Sequence, residues 1–147
     1  MCKVGDLLLI ERTTNNGRTI GRHPFIVFSD ENGIIKGTYN YDFLGFLLSS
    51  NETEEKREKM LKYDTNFPVA KDDKIITDPN YNNLNSFVEF NPFFYFSKDK
   101  ITFRKIGRID EDIFNLLVEY LEELNKQGTK FKQVIDNAKP IEEAEEA

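Results

Sequence analysis

His23 is the single histidine of the chain. It closes a stretch, residues 12–23, that holds Arg12, Arg18 and Arg22 without one acidic side chain. Ser49 and Ser50 form a hydroxyl pair at the end of an apolar run. An imidazole, arginines and hydroxyls are a set that can cleave RNA without a metal. In that reaction the ribose 2′-OH loses a proton as it attacks phosphorus, the 5′-oxygen gains one, and the phosphorane needs its charge neutralised. Histidine can shuttle protons near neutral pH. Arginine grips phosphate in bidentate fashion, and hydroxyls or backbone N–H groups can donate to the non-bridging oxygens. A helix beginning at Asn51 would aim its free amides close to Ser49 and Ser50 and offer a phosphate seat. Each feature also has a plainer reading: a structural histidine before Pro24, serines that cap a helix, and arginines around a solvated hairpin tip.

Other chemistries find little support. Cys2 is the single cysteine, so there is neither an internal disulfide nor a multi-cysteine zinc site, and one histidine excludes the two-histidine zinc motifs. A glycine-rich phosphate loop ending in Lys-Ser/Thr and a GxSxG elbow are both missing, and no cofactor is expected. No apolar run approaches the roughly 20 residues that span a bilayer, and the N-terminus lacks a signal-peptide pattern, so a cytoplasmic protein is expected. The net charge of −6 argues against a polyanionic partner, but Glu142, Glu143, Glu145 and Glu146 account for four of those charges. A polyanion could bind locally on the remainder.

The elements that must position His23 and the two serines follow from pattern. The 147 residues suit one domain, expected over 1–138 with an acidic, disordered tail at 139–147. Residues 7–11, 24–29, 34–38 and 43–48 read as short strands. Asn16-Gly17 and Asn32-Gly33 fall between them, and Asn-Gly favours tight hairpin turns. Such strands predict an antiparallel, strongly curled sheet, within which the start of 24–29 and the end of 43–48 could share one rim. Residues 51–62 are charged and helix-forming, with Asn51 as N-cap and Glu54 as its reciprocal partner, which predicts an inserted surface helix. Residues 74–77 read as a strand and 80–85 as a loop. The aromatic stretch 87–96 is core, and its Pro92 argues against an uninterrupted central strand. Residues 110–125 carry an Asp110 cap, and Ile113, Leu117, Tyr120, Leu121 and Leu124 form one apolar stripe. Gly128 stands where a left-handed cap residue belongs. Residues 130–138 are expected to add a short helix.

Taken in order, Lys3-Val4-Gly5-Asp6-Leu7-Leu8-Leu9-Ile10, then His23-Pro24-Phe25-Ile26-Val27-Phe28-Ser29, then the apolar strand ending in Ser49-Ser50, resemble the opening of the MazF/PemK-like toxins. Residues 67–77 (FPVAKDDKIIT) are similar to a later strand of that family, and Ile106-Gly107-Arg108-Ile109 before the amphipathic helix is similar to its ending. The resemblance implies an α+β fold with an SH3-like curled antiparallel β-barrel. It also implies a metal-independent endoribonuclease that leaves 2′,3′-cyclic phosphate and 5′-hydroxyl ends. His23 would occupy the basic catalytic position and Ser49-Ser50 the Thr/Ser pair, although many relatives carry Arg or Lys where His23 stands.

The charged insert and the His-Pro-Phe opening look more like toxins of type III systems, the CptIN/ToxIN-like group. This implies a repeat RNA pseudoknot as antitoxin, a role in phage defence, and a closed protein–RNA oligomer or a homodimer. Phosphates would then fall to Arg12, Arg18, Arg22, Lys36, Lys98, Lys100, Arg104, Lys105 and Arg108. The alternatives are a MazF-like toxin inhibited by a protein antitoxin, a non-enzymatic CcdB-like interaction module on the same barrel, and an RNA-binding domain that stacks bases on an exposed Phe90, Phe94 or Tyr95.

Overall fold

The computed structural model describes residues 3–13, 19–30, 39–40, 43–50, 53–96, 101–137 and 139–140; the side chains at 12–13, 19–21, 29–30, 39–40 and beyond 132 lie outside that description. The strands are β1 (Asp6–Thr13), β2 (Thr19–Asp30), β3 (Tyr39–Asn40), β4 (Phe43–Ser50), β5 (Asn66–Val69), β6 (Lys74–Ile76), β7 (Ser86–Phe96), β8 (Thr102–Ile109), β9 (Gln133–Asn137) and β10 (Lys139–Pro140). Two α-helices, α1 (Glu54–Met60) and α2 (Glu111–Lys126), complete an α+β fold. The main sheet runs β5-β7-β4-β2-β1-β8-β6 with antiparallel neighbours throughout. β3 and β10 form a separate two-stranded ladder. Both Asn-Gly turns and the expected strand at 34–38 lie outside the described residues.

Alternation along the strands sends apolar side chains to both faces. Leu7, Ile26, Leu44, Val88 and Phe90 pack in one cluster with Leu117 and Leu124 of α2. Leu8, Ile10, Phe25, Val27, Phe43, Phe94 and Phe96 pack in another. Phe43 on β4 and Phe103 on β8 are three strand spacings apart in the sheet order, about 14 Å if the sheet were flat. Their ring centroids are 6.2 Å apart. The sheet therefore curls onto this second face, burying it largely against itself as a half-barrel.

α2 follows its sequence signals. Asp110 accepts a hydrogen bond from Asp112 N at 3.2 Å, Leu117 and Leu124 are buried, and Gly128 has φ +82°. Near its middle, Tyr120 packs on Phe67 and Phe90 and donates its hydroxyl to Asp64 O.

Two expectations need correction, and a third, the interruption at Pro92, holds for the ladder but not for the strand. The helix in the insert begins at Glu54 and its N-cap is Thr53, whose side chain accepts from Lys56 N at 3.2 Å. The β-region backbone and hydroxyl of Thr53 meet the cap requirement further along the chain than Asn51. Residues 133–137 form a strand, not a helix, because the C-terminal half of β7 offers a free edge and β9 pairs parallel with it at Phe93, Phe94 and Phe96. β7 is continuous as a strand, but its ladder with β4 is broken: the pairing jumps from Leu47↔Glu89 to Gly45↔Phe94. Pro92 sits in that interruption, where Phe90 N donates to Thr65 O and Phe93 N to Lys132 O instead. The missing amide of proline is tolerated there because the regular ladder does not require it.

The stretch 87–96 is core, as expected. Phe90, Phe94 and Tyr95 are buried, which removes the base-stacking alternative.

Candidate active site

The ladder between β2 and β4 ends at the pair Phe25↔Leu47. Beyond it β2 stays with β1, through Pro24↔Leu9 and His23↔Ile10. β4 stays with β7, through Ser49↔Phe87 and Ser50↔Ser86. The two strands part, and a cavity of about 610 Å³ opens between them. His23, Pro24, Leu48, Ser49, Ser50 and Glu89 line it, with Leu9 and Arg104 from the neighbouring strands, Met60 of α1 and the loop residues Asn80, Tyr81 and Asn82. Residues that alternate along one strand, such as His23 with Pro24, all reach the lining, which a closed sheet would forbid.

The His23 side chain is exposed and has no hydrogen-bond partner among the described residues. Ser50 is exposed, whereas Ser49 is half-buried and donates its hydroxyl to Glu89 Oε2 at 2.5 Å. Arg104 Nε donates to Asp78 Oδ2 at 2.8 Å. The N–H of Asn80 and the guanidinium of Arg104 hold the Asp78 carboxyl below the usual carboxylate range, so this turn stays anionic and keeps Arg104 at the mouth. Burial pushes the Tyr81 phenol above its ordinary value, which leaves it a neutral hydroxyl donor.

The structure brings His23, Ser49, Ser50 and Arg104 to one cavity. Arg22 lies beside it, in an ion pair with Glu11 at 3.0 Å. Lys105 is paired with the buried Asp6 at 3.2 Å. The side chains of Arg12, Arg18, Lys36, Lys98 and Lys100 lie outside the described residues. Arg108 is exposed on β8. The phosphate seat expected at the start of the inserted helix is not built: Glu54 and Glu55 occupy its first turn, and Thr53 already takes the amide of Lys56. Two carboxylates at that end repel an anion.

Glu89, Asn80, Tyr81 and Asn82 line the cavity without having been singled out in the sequence. A lone carboxylate inside the run Phe87–Phe90–Phe96 was the available signal for Glu89. Among the described residues no group of His, Cys, Asp or Glu is gathered that could hold a metal ion, and no helix is long and apolar enough to cross a membrane. No family model, curated protein or solved structure matches the chain.

Proposed function

We propose that this chain is a metal-independent endoribonuclease toxin on an SH3-like curled barrel of the MazF/PemK-like kind. The observation that carries this reading is the convergence of His23, Ser49, Ser50 and Arg104, from three different strands, on one cavity. Its volume falls within the roughly 300–1,000 Å³ typical of small-ligand sites, enough for a nucleotide unit of single-stranded RNA. In the proposed reaction the ribose 2′-oxygen attacks the adjacent phosphorus in line, giving a 2′,3′-cyclic phosphate and a 5′-hydroxyl. His23 transfers a proton, Arg104 neutralises the phosphorane, and the exposed hydroxyl of Ser50 donates to a non-bridging oxygen.

The inhibitor under this reading is a repeat RNA, which would present to the cavity the same ribose and phosphate groups as the substrate. A direct-repeat array beside the coding sequence supports an RNA inhibitor; a small adjacent open reading frame supports a protein one.

Purified protein incubated with a long RNA in EDTA tests the activity. Discrete cuts with cyclic phosphate ends are expected, and a folded His23→Ala variant should be slower by about 10²–10⁴. Intact RNA from a folded, inhibitor-free preparation would refute the enzyme reading in favour of a binding module.

A further inference from the structure

Glu89 is the one acidic residue of β7, a strand otherwise made largely of aromatic side chains. Its cross-strand neighbours are Leu47 on β4 and Asn66 on β5, and neither supplies a cation. It has no ion-pair partner among the described residues. Ser49 donates to Oε2. Oε1 is unpartnered among the described residues and is not sealed from solvent, since the one buried side-chain atom left without a partner there is Asn83 Oδ1. One carboxylate oxygen is thus fixed by a hydroxyl and the other is open. Across the same cavity stands His23, with no partner of its own.

We infer that Glu89 is the general base of the RNA cleavage proposed above, on which this assignment rests, and that His23 is the general acid. Glu89 Oε1 takes the proton of the ribose 2′-OH as the O2′–P bond forms. The P–O5′ bond breaks, and the departing 5′-oxygen receives a proton from the imidazolium of His23. One proton enters the protein and one leaves, so no further reactant is needed. Ser49 becomes a positioning residue: its hydrogen is committed to Glu89, which orients the carboxylate. The hydroxyl contact to phosphate then belongs to Ser50.

Two RNA substrates separate these roles, one with the natural 5′-oxygen at the cut site and one with a bridging 5′-sulfur. A thiolate leaves without protonation, so loss of the acid is masked on the sulfur substrate while loss of the base is not. Glu89→Gln keeps an acceptor for Ser49 and is expected to slow both substrates by about 10²–10⁴. His23→Ala should slow the oxygen substrate to a similar degree and return to within about tenfold of the parent on the sulfur substrate. Ser49→Ala, which leaves the carboxylate in place, should keep more activity than Glu89→Gln, and it tests the assignment if the glutamine variant does not fold. An active parent with an equally active Glu89→Gln, or sulfur rescue of Glu89→Gln, overturns the assignment and leaves the ribonuclease reading intact. A parent that cuts neither RNA overturns both.

Discussion

Lys74 offers a test of the framework that holds the cavity wall. Its side chain is 6% exposed, and its ammonium donates to Leu84 O at 2.5 Å and Ser86 Oγ at 3.0 Å. Ser86 in turn pairs with Ser50 across β4 and β7. Burial lowers the Lys74 pKa from 10.5 to about 8; Asp73 partly restores it and Arg57 lowers it further. Below pH 8 folded and unfolded chains both hold the proton. Between 8 and 10.5 the unfolded chain holds it and the folded chain does not, so stability rises with pH across that window. The full shift would contribute about 1 kcal/mol between pH 8 and 9; screening by solvent reduces this to about 0.5–1 kcal/mol. Above pH ~10 the tyrosines Tyr81 and Tyr120, both raised by burial, act in the opposite sense. Comparison with Lys74→Met cancels their contribution. Ser86 Oγ still donates to Leu84 O at 2.8 Å in the variant, so the two proteins should lie within about 1 kcal/mol at pH 7. Urea unfolding from pH 7 to 9.5 should then show the parent gaining on the variant. A difference that stays flat, or falls, would refute the desolvated ammonium.

Two further predictions concern the framework and the mouth. A Cβ at Gly107 would lie 2.2 Å from Ile75 O, where β6 pairs with β8, so Gly107→Ala should cost about 1–3 kcal/mol or more and loosen the Asp78–Asn82 wall that follows β6, measured by urea unfolding and by hydrogen exchange at 74–82. Arg104→Gln should weaken RNA binding at every sequence tested and reduce the slope of log affinity against log salt by about 1, read by titration at several salt concentrations.

Much of this arrangement is legible from residue order. Alternation and turn residues predict β1, β2 and β4 as strands of a curled antiparallel sheet whose rim could bring His23 and the serine pair together; the direct pairing of β2 with β4 is not legible there, because 34–38 reads as a further strand between them. The α2 stripe, its Asp110 cap and Gly128 are local features, and local features survive folding. What escaped reading depends on partners distant in sequence. Residues 133–137 could have extended a helical pattern, and a vacant edge on β7 made them a strand. Glu89 sits in an aromatic run whose pattern announces only burial; its meaning comes from Ser49, forty residues earlier. The cavity itself arises because β2 and β4 part company, and strand divergence leaves no mark in composition.

Under the proposed reading, the ion pairs among the described residues bear on which cations an acidic chain could offer to RNA. Arg22, Arg104 and Lys105 each hold a carboxylate, with cation side chains 62%, 50% and 50% exposed. Exposed pairs stabilise by about 0–1 kcal/mol, which suits Arg22 with Glu11; Asp78, the partner of Arg104, is only 12% exposed, so phosphate competes for that guanidinium at a greater cost. Releasing Lys105 is different, because its partner Asp6 is buried and would lose a charge partner there. Lys105 therefore belongs to the fold, and its substitution should be read first as a stability change. Of the three, Arg104 alone lines the cavity; its side chain is half exposed, whereas that of its partner Asp78 is 12% exposed. Under the reading proposed above, with these three cations engaged by carboxylates, discrimination among RNAs would fall to the cavity's shape and to Asn80, Tyr81 and Asn82 along its wall, whose amides and phenol can address a base edge.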